Sequence, residues 1–211
     1  MKENLIGSMI KTIFFDIGGV LIDIHPERTY QYLSDAADVD INIIKQLFPW
    51  DAHCQYERGI INNEEWFLAF RDALPQPCCL KRLDFWKAWR LLLGQEKRTV
   101  KILEQLKRQY SIWLLSNTNP KHIQDEIFNK YRFSKIANGF VYSFDVGYRK
   151  PDLKIYNLAM KKAGSSCPEE CLFIDDLLEN VKAAKSLGMR GIHFHSYGNL
   201  EVELVVAGLL P

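Results

Sequence analysis

The sequence of 211 residues has no long hydrophobic run; its apolar stretches are short and end in charged residues, which excludes a bilayer-spanning helix. It also lacks an excess of either charge. Its 27 basic and 26 acidic residues are interspersed, and the formal net charge is +1. That balance leaves no electrostatic footprint for nucleic acid or for an acidic membrane surface. Cysteine is sparse and irregular. Of five residues, Cys78 and Cys79 are adjacent, while Cys167 and Cys171 lack a second pair, so neither a disulfide framework nor a zinc site is expected. Reduced thiols in a cytoplasmic protein fit this usage better. Met1 to Lys11 contains no long apolar stretch before a small-residue cleavage site, so no secretory leader is expected. No internal repeat, linker or low-complexity segment divides the chain.

What the chain does have is 47% apolar residues, enough for one domain with a core and a modest inserted module. Thr12-Ile13-Phe14-Phe15 is a β-rich run of the kind buried on both faces of a sheet, and it ends abruptly at Asp16 before Gly18 and Gly19. From Pro26 to Leu93 the spacing predicts helices only. Tyr30, Leu33 and Ala37 mark one; Ile44, Leu47 and Phe48 a second, closed by Pro49. Asn62 and Glu65 have capping-box spacing before Trp66, Phe67 and Phe70, and Leu83, Trp86, Trp89 and Leu93 mark a fourth, with Gly94 placed to end it. The aromatic residues of this block are most simply its own core. After Gly94, strands and helices alternate: Ser111 to Leu115, Phe140 to Ser143, Leu172 to Ile174 and Gly191 to Phe194 read as strands. The expected fold is therefore α/β, a doubly wound and mainly parallel sheet with an α-helical bundle inserted after the first strand. The expected division is a core of residues 1–24 and 94–211 and a helical cap of residues 25–93.

Ligands of open α/β sheets bind beyond the carboxyl ends of the strands. The polar residues that follow each strand are thus the candidates: Asp16, the run Ser116-Asn117-Thr118-Asn119, Lys150, and the pair Asp175-Asp176. Three carboxylates, a hydroxyl and an ammonium on one rim suit phosphoryl transfer. A carboxylate approaches a phosphate only when a divalent cation shared between them removes the repulsion. Asp175 and Asp176 have no basic neighbour in sequence, which makes them candidates for a hard-cation site. Lys150 offsets phosphoryl charge, and Ser116 donates a hydrogen bond to it. Each residue also has a plain structural explanation: a turn cap for Asp16, a helix N-cap for Asp176, turn formers for Asn117 and Asn119. His53, His122, His193 and His195 have no spacing of metal ligands.

Taken in order, Phe15-Asp16-Ile17-Gly18-Gly19-Val20-Leu21, Leu114-Leu115-Ser116-Asn117, Arg149-Lys150-Pro151-Asp152 and Phe173-Ile174-Asp175-Asp176 resemble the four motifs of the haloacid dehalogenase-like superfamily. The resemblance runs from Thr12 onward, and the helical insert lies where that family carries its four-helix cap. It implies that Asp16 is the nucleophile, that Ser116 and Lys150 are catalytic and, with Asn117, hold the phosphoryl group, and that Mg²⁺ is bound by Asp16, the carbonyl of Gly18, Asp175 and Asp176. Arg58, before Gly59 in the cap, is the expected contact to the rest of a small phosphorylated substrate. The implied activity is Mg²⁺-dependent hydrolysis of a small phosphometabolite, a sugar phosphate or similar, through an aspartyl-phosphate. Oligomeric state stays open.

The pattern departs from the family at Gly18. Phosphatases of the superfamily usually have there an Asp that protonates the leaving group, a role worth roughly 10²–10⁴ in rate. The Asp-x-Gly start, with Gly59-Ile60 and Glu64-Glu65 in the cap, looks like the bacterial glucose-1-phosphate phosphatase branch, whose leaving groups need less protonation. Asp23 and His25 are candidates to replace the acid. Two further alternatives are a phosphometabolite-binding protein without turnover and a 2-haloacid dehalogenase. Dehalogenation needs neither the acid nor a metal, so the acidic pair argues against it.

Overall fold

The computed structural model describes residues 9–211. Residues 1–8 of the expected core segment, and most of the Met1 to Lys11 stretch read for a leader, lie outside the described residues. The sheet contains β1 (Thr12–Phe15), β4 (Ser111–Ser116), β5 (Gly139–Tyr142), β6 (Cys171–Asp175) and β7 (Arg190–His193). Their order is β5-β4-β1-β6-β7 and every pairing is parallel. β1 is central because it is apolar on both faces. Ile13 and Phe15 pack with Ile112, Leu114, Leu172 and Ile174 on one side; Phe14 packs with Leu115, Val141 and Phe173 on the other. Both phenylalanines are fully buried, each contributing about 1.5–3 kcal/mol relative to exposure. Helices Thr99–Leu106 and Tyr197–Val206 cover the first face through Val100, Leu103, Leu106, Leu200 and Leu204. Leu153–Lys162 and Leu178–Ser186 cover the second through Ile155, Tyr156, Ala159 and Ala184. This is the doubly wound parallel sheet expected from the alternating pattern.

Over residues 26–90 the chain forms five helices where four were expected: α1 (Pro26–Ala37), α2 (Ile41–Gln46), α3 (Trp50–Glu57), α4 (Asn63–Ala73) and α5 (Arg82–Arg90). They enclose their own apolar cluster, with Leu33, Ile44, Phe48, Tyr56, Trp66, Phe67, Phe70, Phe85 and Trp89 buried in it. The capping box at Asn62 and Glu65 is formed. The unexpected helix, α3, carries the polar sequence WDAHCQYE, whose only two buried residues adjoin each other at Tyr56 and Glu57; it has no apolar stripe for periodicity to detect.

A second correction concerns Gly94. α5 ends at Arg90, and Leu93–Glu96 is a strand, β3, that pairs antiparallel with β2 (Ile22–Ile24). Gly94 does not end a helix; it lets this ribbon close, since a Cβ there would lie 2.5 Å from His25 Nε2 and 2.8 Å from Asp23 Cβ. The ribbon carries the chain out to the helices and back, and the expected boundary between residues 93 and 94 falls inside it.

Candidate active site

Register builds the site. Phe15 pairs with Leu114 of β4 and with Ile174 of β6, so Asp16, Ser116 and Asp175 emerge together at the carboxyl edge of the sheet. Lys150 reaches them from the loop after β5. Its Nζ donates to Asp16 Oδ1 and to Asp175 Oδ2, both at 2.6 Å, and to the carbonyl of Leu115 at 3.0 Å. Asn117 fixes that loop, its Oδ1 accepting from Lys150 N and its Nδ2 donating to Lys150 O. Asp175, with no basic neighbour in sequence, thus gains one in space from a lysine 25 residues away. Lys97 also approaches from the end of the β2–β3 ribbon, donating to the Gly19 carbonyl at 2.5 Å.

Two ammoniums, Lys150 and Lys97, face three carboxylates. Ligand oxygens of Asp16, Asp175 and Asp176 all lie within 4.8 Å of one another. Burial, followed by repulsion from Asp175 and Asp176, pushes the Asp16 carboxyl up to about 7 against the pull of Lys150. Burial and Asp175 likewise raise Asp176. Burial opposes charge on Lys150, but Asp16 and Asp175 outweigh it and hold the ammonium firmly protonated. A crowded, all-oxygen set with surplus negative charge fits a hard divalent cation. Asp175 has both oxygens engaged: Oδ1 accepts from Leu177 N, Oδ2 from Lys150, and Asn180 Nδ2 bridges the two. Asp176 does not cap the following helix; Leu177 occupies that position. His193 donates from Nε2 to the Asp176 carbonyl at 2.9 Å, pinning its backbone.

Gly18 and Gly19 shape the approach. Gly19 has φ +74°, and a Cβ on it would lie 2.2 Å from Asp176 Oδ2, so the backbone leaves room that only glycine provides. Gly18 and Ser116 to Asn119 border a cavity of about 110 Å³ from the core; His53, Glu57, Trp89 and Leu92 close it from the helical side. Ser116 is buried, and its hydroxyl makes only a long 3.4 Å hydrogen bond to the Asn117 carbonyl, leaving it available for a stronger acceptor.

The cap residues expected at the site are not the ones the structure brings there. Arg58 is exposed and ends α3. Its neighbour Glu57 instead faces inward, buried, with Oε2 accepting from Arg149 Nε at 2.6 Å. Arg149 also donates to Cys54 Sγ at 3.1 Å. A step of one residue turns a helix by about 100°, which separates the exposed Arg58 from the inward Glu57. Asp23 and His25 line the ribbon beside Gly94, and neither is among the described residues that border the cavity.

His122 was missed as well. Its Nε2 donates to the Trp89 carbonyl at 2.9 Å, its Nδ1 accepts from Asn119, and its ring stacks on Trp89. Burial pushes it down to about 4, so it is a neutral peg between the helical module and the sheet edge. Burial, then Arg149, brings His53 down to about 4 as well. Neither histidine carries a sequence signal, because their partners belong to other elements.

Residues 10–188 match the family model described as haloacid dehalogenase-like hydrolase. D-ribitol-5-phosphate phosphatase of Bacteroides thetaiotaomicron is 26% identical over 208 residues, covering 94% of this chain and 98% of that protein. A sesquiterpene phosphatase of Aspergillus oryzae is 28% identical over 184 residues, covering 87% and 89%. Among solved structures, a HAD family enzyme of Bacteroides thetaiotaomicron in complex with magnesium and inorganic phosphate superposes with a TM-score of 0.79 at 26% identity, covering 90% of this chain and 98% of that one. No described helix is long and apolar enough to cross a membrane.

Proposed function

Because the chain belongs to the haloacid dehalogenase-like hydrolase family, we propose that it is a Mg²⁺-dependent phosphatase of a small phosphorylated metabolite, with Asp16 as nucleophile. The observation that carries this reading is the clamp of Lys150 on Asp16 and Asp175 beside Asp176. The proposal includes the division into a core of residues 1–24 and 94–211 and a cap of residues 25–93, with the cavity between them as the place of reaction.

The roles follow from the geometry. Asp16 spends Oδ1 on Lys150, which orients Oδ2 as the attacking atom. As the new bond to phosphorus forms, the bond to the ester oxygen breaks, and the leaving alkoxide takes its proton from water, since position 18 offers no side chain. Water then attacks phosphorus, releasing phosphate and restoring Asp16. Lys150 and the Ser116 hydroxyl hold the phosphoryl oxygens, and Asn117 serves by positioning Lys150. Mg²⁺, when bound, neutralises the repulsion between carboxylate and phosphate and keeps Asp16 ionised. Asp16, Asp175, Asp176 and the Gly18 carbonyl would hold it. Magnesium in the related enzyme supports this assignment. Arg58, exposed at the end of α3, does not border the cavity.

Phosphate release from a panel of phosphate esters, with Mg²⁺ and with EDTA, tests the reading. Release that depends on Mg²⁺ and disappears in Asp16→Asn supports it. The absence of an acid at Gly18 favours one rival, binding without turnover, which predicts Mg²⁺-dependent binding and no product.

A further inference from the structure

The two phosphatases to which the chain is similar act, by their names, on esters whose alcohols differ fundamentally, a polyol in one and a hydrocarbon in the other. The cavity wall separates these classes. His53 and Glu57 stand one turn apart on α3 and both border the cavity opposite Gly18 and Ser116. Glu57 Oε2 is held by Arg149, but Oε1 lies 3.8 Å from His53 Nε2, beyond hydrogen-bonding distance. His53 Nδ1 is buried and has no partner. The wall therefore carries a carboxylate oxygen, Glu57 Oε1, and an imidazole nitrogen, His53 Nε2, that lie 3.8 Å apart and are not hydrogen-bonded to each other.

We propose that Glu57 and His53 form a hydroxyl-recognition subsite, and that the ester cleaved is a phosphate of a small polyol or sugar. This rests on the phosphatase reading above. A hydroxyl is donor and acceptor at once, so it gives its proton to Glu57 Oε1 and accepts from His53 Nε2–H in the neutral tautomer protonated there. A hydrocarbon chain in the same place strips water from the carboxylate and returns nothing, which disfavours it strongly. The depressed His53 keeps the imidazole neutral near pH 7, as pairing with a hydroxyl requires. Arg149, next to Lys150 in the chain, ties this subsite to the loop that holds the phosphoryl group, so the distance between the two ends is fixed by adjacent residues.

The test compares a pentitol phosphate with n-pentyl phosphate, esters of equal chain length, on the full chain with Mg²⁺. The wild type is expected to favour the pentitol ester by at least about 10² in kcat/KM, in the direction of the roughly 10⁴–10⁵ reached where a site is built to bond a hydroxyl. Glu57→Gln and, separately, His53→Leu are expected to cut that ratio at least tenfold; a purely structural defect lowers both rates and leaves the ratio unchanged. A ratio near one in the wild type, or an unchanged ratio in both variants, overturns the proposal. So does a preference for n-pentyl phosphate, which assigns the leaving group to the aromatic cleft of Tyr30, Phe48, Trp50 and Trp89 beside the cavity. If neither ester releases phosphate, the phosphatase reading fails, and calorimetric binding of the same esters decides the subsite. Tighter pentitol phosphate binding that Glu57→Gln abolishes supports it, and equal affinities overturn it.

Discussion

Asn117 grips both ends of the Lys150 backbone, its Oδ1 accepting from Lys150 N at 2.8 Å and its Nδ2 donating to Lys150 O at 2.9 Å. The ammonium that joins Asp16 to Asp175 is thus aimed by a residue from the neighbouring strand end. Asn117→Ala leaves both backbone groups unpaired, at about 1–3 kcal/mol for each that water does not reach. It also frees the loop that sets the Lys150 position. We expect a lower urea midpoint and a loss in kcat/KM of about 10²-fold, the scale of a misplacement near 1 Å. Asn117→Asp keeps the acceptor and loses the donor, and is expected to fall between. Wild-type kcat/KM in Asn117→Ala would remove Asn117 from the positioning of Lys150.

Gly19 provides a sharper contrast. Gly19→Ala places a methyl group 2.2 Å from Asp176 Oδ2 at a φ of +74°, while the similarly strained Gly147, φ +79°, has nothing within 4 Å. Both variants are expected to lose stability by about 1 kcal/mol or somewhat more from backbone strain. Only Gly19→Ala should also displace Asp176, and the Mg²⁺ concentration for half-maximal phosphate release should rise at least tenfold. An equal Mg²⁺ requirement in the two variants contradicts the assignment of Asp176 to the metal.

The buried histidines set a pH dependence. His53 and His122 both fall from the usual value near 6.5 to about 4, chiefly through burial. A folded value below the unfolded one means that the unfolded chain binds more protons between these limits. The stability held by the neutral rings is therefore complete above pH 6.5 and is lost as the pH falls toward 4, by at most about 3 kcal/mol for each ring. Urea unfolding at pH 7 and at pH 4.5 should show this loss, and His122→Gln should reduce it. A midpoint equally steep in pH for the variant shows that His122 is not protonated on unfolding.

Much of the core was legible because the sheet turns sequence into position. Asp16, Ser116 and Asp175 each end an apolar run, and parallel register brings such ends to one edge whatever lies between them. Lys150 was legible only through its motif; nothing in its surroundings in sequence reveals the two carboxylates it joins. The helical module was legible as helices and opaque as a surface. α3 lacks an apolar stripe, so neither its existence nor the inward turn of His53 and Glu57 is legible in the sequence. Glu57 becomes intelligible only beside Arg149, 92 residues later. β3 was hidden for a related reason. Leu91 to Leu93 continue the apolar texture of α5, and the need for Gly94 arises from Asp23 on the strand it faces and His25 just after it.

The central claim is that Asp16 itself receives the phosphoryl group, and trapping that state tests it most directly. Protein mixed with Mg²⁺ and a hydrolysed ester is quenched in acid within the first turnover, digested, and searched by mass spectrometry for a phosphoryl group on the peptide that contains Asp16. The account predicts the modification on Asp16 in the wild type, its absence in Asp16→Asn, and its absence in EDTA. Phosphate release at an undiminished rate from Asp16→Asn, with no modified peptide in either protein, contradicts it.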